Sequence, residues 1–168
     1  MKGWYGDPYR HSLAARGIPT YLYHGTTSGL FRGIKKHGLS PHDAVKLWAN
    51  SEGDYIYLTP RKEIAEHFAG ESTRYLPEVY DQMDDYVYRF YPEAEKRFDE
   101  GEVPQFITKT TPIILRVRKE DLEDLADEEW YQVEDDPEIE EDSIRWPGRI
   151  PPELIEVRTP TGWKRLRR

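Results

Sequence analysis

The segment Tyr21-Leu22-Tyr23-His24-Gly25-Thr26 decides the fold predicted for this chain of 168 residues. Its first four residues form a short aromatic and aliphatic run, which indicates a buried strand that ends at Gly25. A helix is expected after it, because residues 30–34 carry an apolar stripe and Gly38 can close a helix in a left-handed conformation. A strand followed by a helix is therefore the first unit of the predicted fold.

A second unit of the same kind begins with Asp54-Tyr55-Ile56-Tyr57-Leu58-Thr59. Its alternating pattern predicts a strand, and a helix is expected over about residues 61–70. Ile64 and Phe68 are four positions apart and share one face of that helix. The helix is therefore expected to lie on the sheet.

The rest of the chain carries further helical and strand signals. A helical region is expected at about residues 77–99, and Pro92 would kink or split it. Residues 120–127 are expected to form a short helix or turn. Strands are predicted at four later segments: 111–117, 130–133, 143–146 and 155–158. Several short strands with few helices indicate an α+β fold, and no repeat or linker interrupts residues 1–168, which are predicted to form a single domain.

Composition limits the classes of function. With 33% charged residues and a mean hydropathy of -0.87, the sequence has no apolar run of membrane-spanning length. It starts without the apolar stretch of a secretory signal, so a soluble, cytoplasmic protein is expected. Cysteine is absent, which excludes disulfides, thiolate metal sites and a cysteine nucleophile. The five histidines lack the close spacing of metal ligands and no common phosphate-loop or zinc motif occurs, so no metal site is predicted.

Charge is distributed unevenly along the chain, whose net charge is -8. Residues 1–50 carry seven Lys or Arg against two Asp, whereas residues 120–142 carry 14 carboxylates and no base. The net charge argues against a general nucleic-acid coat protein. A basic surface for phosphates can still form on the N-terminal third of the chain.

Two motifs stand in the order and spacing of a known family. The first is Tyr23-His24-Gly25-Thr26, followed by a helix that ends at His37-Gly38-Leu39. The second is Tyr55-Ile56-Tyr57-Leu58-Thr59, with the aromatic residue Phe68 lying 11 positions after Tyr57. Together they resemble the NAD-binding core of the ADP-ribosyltransferase superfamily, in its diphtheria-toxin and poly(ADP-ribose)-polymerase branch. The resemblance implies a split antiparallel β-sheet with flanking helices, in which residues 76–101 form a helical insertion.

The resemblance implies a role for each matched residue, with NAD as the co-substrate. His24 would hydrogen-bond a ribose hydroxyl. The backbone N–H and C=O of Gly25 would hold the nicotinamide amide, a close approach that glycine permits, and Thr26 would support this turn. Tyr57 and Phe68 would sandwich the nicotinamide ring, since aromatic faces bind a flat cation.

The third motif of the family is a glutamate, which stabilises the positive charge that develops on the ribose in the transition state. In the polymerase branch an apolar residue follows that glutamate nine positions later. Counting back from Ile150 gives Glu141, which has acidic neighbours. A second register makes Ser143 the motif residue, and the chain then lacks the acid. The first register completes a predicted catalytic set: His24, Tyr57 and Glu141.

These assignments predict an NAD-dependent mono-ADP-ribosyltransferase that cleaves the nicotinamide glycosidic bond and transfers ADP-ribose to an acceptor. The acceptor is left open between a protein, a nucleic acid and a small molecule. Two alternatives share the fold: a nucleotide-binding module without turnover, and an RNA 2′-phosphotransferase, whose N-terminal module would not fit before His24. Five cations are candidates for the pyrophosphate: Arg10, Arg16, Arg32, Lys35 and Lys36.

Overall fold

The computed structural model describes residues 20–41, 55–131, 133–135 and 143–167. Seven strands in these ranges form two antiparallel sheets. The first sheet consists, in spatial order, of β1 (Tyr21–Thr27), β3 (Pro112–Arg118), β6 (Ile155–Thr159) and β7 (Gly162–Arg165). The second consists of β2 (Ile56–Leu58), β5 (Ile144–Trp146) and β4 (Glu134–Asp135). Antiparallel sheets with flanking helices confirm the α+β prediction.

Helices connect the strands of both sheets. The α-helices in the described ranges are α1 (Phe31–His37), α2 (Lys62–Tyr75), α3 (Asp84–Phe90), α4 (Glu95–Asp99), α5 (Gln105–Thr108) and α6 (Lys119–Glu129). Short 3-10 segments lie at Ser28–Leu30, Leu76–Gln82, Pro92–Ala94 and Pro152–Leu154. As predicted, α1 closes at a glycine with positive φ, since Gly38 has a φ of 83°. None of the helices in this part of the chain combines the length and the apolarity that crossing a bilayer requires.

The main core joins the two sheets. Leu22 of β1 and Leu115 of β3 are fully buried in it. Leu58 of β2 and Trp146 of β5 belong to the same cluster and are also buried. Because both sheets contribute to one core, the strand that carries His24 and the strand that carries Tyr57 are held at a fixed separation.

A second hydrophobic cluster lies within the helical region that follows α2. Its buried members include Met83, Val87 and Phe90, and the ring of Tyr91 stacks on that of Phe106 at 3.6 Å between centroids. Helix α3 ends at Phe90 and a new 3-10 segment starts at Pro92, so the predicted split at this proline is confirmed.

One strand prediction is wrong and one strand was missed. Residues 130–133 were expected to form a strand, but α6 continues to Glu129 and Trp130 closes it in a left-handed conformation with a φ of 58°. The strand in this region begins only at Glu134. Strand β7 was not predicted, because Gly162–Arg165 is cationic and largely exposed and therefore lacks the apolar alternation that marks a buried strand.

Helix α2 packs directly on β1 at Gly25. A Cβ placed on Gly25 would lie 2.0 Å from the carbonyl oxygen of Ala65 and 2.6 Å from the amide nitrogen of Ala69. Ala65 and Ala69 are both buried against Ile114 of β3. Small residues on the helix and a missing side chain on the strand thus allow their backbones to approach closely.

We expect Gly25→Ala to destabilise the fold by about 3 kcal/mol or more, because the new methyl group meets backbone atoms that no side-chain rotation can move. Urea unfolding measures the change. Gly70→Ala on α2 is the matched control: nothing lies within 4 Å of its added Cβ, so helix propensity should leave it neutral or more stable by up to about 1 kcal/mol. Equal stability of the Gly25→Ala variant and the wild type would contradict this packing.

Candidate functional site

The two sheets meet at a single pair of backbone hydrogen bonds within the described residues. The N–H of Tyr23 donates to the carbonyl of Thr59 at 2.7 Å, and the N–H of Thr59 donates back to the carbonyl of Tyr23 at 3.0 Å. Thr59 follows β2 directly, and α2 begins shortly after it at Lys62. This pair of hydrogen bonds therefore holds the C-terminal end of β2 against β1 at Tyr23.

Gly25 lies two residues after Tyr23, which is the β1 residue of this bridge. Alternate residues of a strand direct their N–H and C=O groups to opposite sides. Tyr23 directs its groups towards β2, whereas the N–H of Ser28 bonds to Thr111 on the β3 side. Gly25, two residues after Tyr23, consequently directs both groups away from β3. Among the described residues, no strand pairs with β1 at Gly25 on that side.

His24 connects the first sequence motif to the second. Its Nδ1 lies 2.9 Å from the carbonyl oxygen of Tyr57. Because a carbonyl oxygen only accepts, Nδ1 carries the proton and Nε2 is left as an acceptor. Burial lowers the pKa of His24 from the usual 6.5, and the bond to the Tyr57 carbonyl opposes this effect only in part. The ring is therefore neutral at pH 7 and presents a hydrogen-bond acceptor.

Tyr57 lies on β2, which bonds to His24, and Phe68 lies on α2, which packs on Gly25. Tyr57 is half-buried at the centre of β2 and stands opposite Arg145 of β5 in the sheet register. Phe68 is half-buried on α2, in the turn that contains Ala65 and Ala69 and docks on β1. The structure thus brings His24 and Tyr57 into contact and sets Phe68 on the helix that covers Gly25.

Thr26 and the hydroxyl groups after it belong to the interior. Thr26 is 4% exposed and pairs with Ile113 of β3. The hydroxyl of Thr27 bonds to those of Thr110 and Thr73. The sequence did not predict this network, because its members are polar residues scattered over more than 80 positions. It anchors the end of β1 to the loop before β3 and to α2.

The third sequence motif is described only in part. Glu141 lies outside the described residues, so its assignment stays a prediction. Ser143 stands directly before β5, which pairs with β2 so that Ile144 is opposite Leu58 and Arg145 opposite Tyr57. The side chain of Ser143 is buried, and its Oγ has no hydrogen-bond partner among the described residues. The strand that follows Ser143 is therefore the immediate neighbour of the strand that carries Tyr57.

Of the five cations considered for binding a pyrophosphate, the structure describes three: Arg32, Lys35 and Lys36. Arg32 is held elsewhere: it pairs with Glu93, donates to the carbonyl of Phe90 at 3.0 Å and stacks on Tyr91 at 3.8 Å. Its bond to Glu93 holds the pKa of that carboxyl below the usual value. Lys35 lies over the ring of Phe31 at 5.5 Å, and Lys36 is exposed. Arg10 and Arg16 fall outside the described residues.

No group of three or more His, Asp or Glu side chains with the arrangement of a metal site occurs in the described ranges. A scan against protein-family models, a search of curated proteins and a search of solved structures each found no match to this chain.

The lowered pKa of His24 predicts a pH dependence of stability. Below pH 6.5 the unfolded chain binds a proton at this residue that the folded protein excludes, so the free energy of unfolding falls as the pH drops. His24→Gln keeps a donor for the Tyr57 carbonyl without this titration. We expect the variant to lose less stability between about pH 7 and 5, by at most about 1.4 kcal/mol per pH unit, in urea unfolding.

His67→Gln serves as the control, since His67 is exposed on α2. Its unfolding free energy should follow the wild-type pH profile. The free energy of unfolding of His24→Gln could also follow the wild-type dependence on pH. His24 would then accept its proton as readily in the folded state as in the unfolded state, which contradicts a pKa lowered by burial.

Proposed function

We propose that this chain is an NAD-dependent mono-ADP-ribosyltransferase, which breaks the bond between nicotinamide and ribose and passes ADP-ribose to an acceptor. One observation carries the proposal. In the part of the chain that the structure describes, the N–H and C=O of Gly25 lie on an unpaired edge of β1. The adjacent residue, His24, bonds to the Tyr57 carbonyl and keeps Nε2 as an acceptor. A donor and an acceptor on one residue match a carboxamide, which offers one of each.

The residues of the site have complementary tasks. The N–H and C=O of Gly25 bind and orient the nicotinamide amide. Nε2 of His24 accepts a hydrogen bond from a ribose hydroxyl, a bond that requires the neutral ring. Tyr57 and Phe68 supply aromatic surface for the planar nicotinamide ring. Together these residues position the glycosidic bond and exclude water from it.

Bond cleavage leaves positive charge on the ribose, and a carboxylate nearby lowers the energy of that state. Glu141 is the residue proposed for this role. Ser143 cannot replace it in this respect, because a hydroxyl carries no charge at neutral pH. With Glu141 in place the chain has the complete catalytic set of His24, Tyr57 and Glu141.

The position of Ser143 favours a second candidate function, a nucleotide-binding module without turnover. Ser143 directly precedes the strand beside Tyr57, and no described residue bonds to its buried hydroxyl. If this serine occupies the third-motif position, binding by His24 and Gly25 persists but the stabilising charge is missing. The two functions are distinguished by whether NAD is bound, or bound and cleaved.

Release of nicotinamide from NAD by the purified protein tests the proposal, with protein, nucleic-acid and small-molecule acceptors offered in separate reactions. We expect release by the wild type and a loss of about 100-fold in His24→Ala, which removes the ribose contact. His67→Ala, a change of the same type on the exposed face of α2, should keep full activity. Equal loss in both variants would contradict a specific role of His24.

The third motif is tested in the same assay by two neighbouring acids. Glu141→Gln should lower release by about 100-fold or more, whereas Glu140→Gln should change it less than about threefold. Loss in Ser143→Ala with full activity in Glu141→Gln would overturn the assignment of Glu141. Binding of NAD without release by any variant or acceptor would leave the nucleotide-binding module.

A further inference from the structure

The four-stranded sheet turns a cationic and aromatic surface away from the main core. Leu22, Leu115 and Ile155 point into that core, so the residues of opposite parity share the outer face. By the sheet register they include Tyr21, Tyr23, Gly25, Ile114, Arg116, Arg118, Glu156, Arg158, Trp163 and Arg165. We call this surface the arginine face. It carries four arginines, three aromatic residues and one carboxylate, although the whole chain has a net charge of -8.

Helix α2 covers one end of the arginine face. Ala65 and Ala69 pack on Gly25 and Ile114 there. Arg118 and Arg165, at the other end of their strands, are exposed. The part of the face that α2 does not cover therefore contains cations that solvent reaches.

The aromatic side chains of the arginine face are held in a fixed stack. The guanidinium carbon of Arg116 lies 3.8 Å from the ring centroid of Tyr21 and 4.2 Å from that of Trp163. The rings of Tyr23 and Trp163 are 5.9 Å apart. Nε of Arg116 also donates to Glu156 at 2.9 Å. The stack spans all four strands and pre-organises the half-buried rings of Tyr21 and Trp163.

Within the described residues, the remaining arginines of the face make their contacts at exposed positions. Arg118 is 3.2 Å from Glu120, and Arg158 is 2.9 Å from Glu66. Arg165 donates to the backbone carbonyl of Glu153. Exposed ion pairs contribute little to stability, so an incoming phosphate can replace the carboxylates at small cost.

We propose that the arginine face binds single-stranded nucleic acid. Bases stack on the exposed parts of the Tyr21 and Trp163 rings, and phosphates contact Arg118, Arg158 and Arg165. Fixed aromatic surface beside a row of cations fits an unpaired strand, which offers both π-faces and a charged backbone. A duplex hides its π-faces, and an acidic protein segment offers charge without stacking. This proposal is independent of NAD cleavage.

Fluorescence anisotropy of labelled oligonucleotides of about 12 nucleotides tests the proposal. The probes are single-stranded DNA and RNA of mixed sequence and the matching DNA duplex. We expect the chain of residues 1–168 to bind the single strands at least about tenfold more tightly than the duplex. Affinity should fall as salt rises from about 50 to 200 mM, because counterions are released on binding. The difference in affinity between the DNA and RNA single strands shows which of the two nucleic acids the face binds.

Two matched pairs of variants locate the binding surface. Removing two charges in Arg118→Gln/Arg165→Gln should weaken binding by about tenfold and reduce the salt slope by about 1.4. Arg89→Gln/Arg97→Gln removes the same charge from exposed helical positions and should change affinity less than about twofold. Tyr21→Leu should weaken binding by about fivefold or more through lost stacking, and Tyr80→Leu, at an exposed tyrosine, should not.

Several results would overturn the proposal. They are the absence of binding to any single strand, equal affinity for the duplex, and equal effects of the two arginine double variants. Displacement of the bound strand by poly-glutamate, together with tight binding of labelled poly-glutamate itself and no effect of Tyr21→Leu, would instead identify an acidic protein as the partner. Circular dichroism of each variant separates lost binding from lost folding.

Discussion

The close approach of α2 to β1 at Gly25 is the constraint on which the rest of the candidate site depends. Helix α2 starts only a few residues after β2, so seating the helix on β1 also draws the end of β2 to that strand. The Tyr23–Thr59 bridge and the bond from His24 to the Tyr57 carbonyl then form at the junction. Gly25 thus helps to set the separation of the two sheets, because its missing side chain allows α2 to pack closely on β1.

Gly25 has two separate tasks at the candidate site. Its missing side chain makes room for the backbone of α2, whereas its N–H and C=O point to the edge of β1 that proposed NAD binding would use. The first task is structural and explains the glycine without any ligand. The second follows from the alternation of the strand and would be met by any residue at this position. Substitution of Gly25 therefore disturbs the packing of α2 as well as the proposed site, so His24 is the better position for testing function.

Much of the fold was predictable from local patterns. The strands that contain His24, Tyr57 and Ile114 follow from short apolar runs or apolar alternation, and Gly38 and Pro92 mark the interruptions of the helices as expected. The packing of Ala65 and Ala69 on Gly25 was not predictable, because it joins segments that are 40 residues apart and leaves no periodic signal.

The sequence predicted less of the candidate site than of the fold. The structure shows His24 bonded to the backbone of Tyr57, while the roles given to His24, Tyr57 and Glu141 stay predictions. The arginine face was not predicted from the sequence. Its cations come from three strands, and only the sheet register shows that Arg116, Arg158 and Arg165 share a side. A count of charges along the chain pointed instead to the N-terminal third.

The most direct test of the proposed site is the backbone amide signal of Gly25 in a proton–nitrogen correlation spectrum, recorded while nicotinamide or NAD is added. If the N–H of Gly25 holds the carboxamide, its signal shifts and saturates together with that of His24, and nicotinic acid, which lacks the amide donor, produces a weaker change. Saturable binding that leaves the signals of Gly25 and His24 unchanged would contradict a carboxamide held at Gly25.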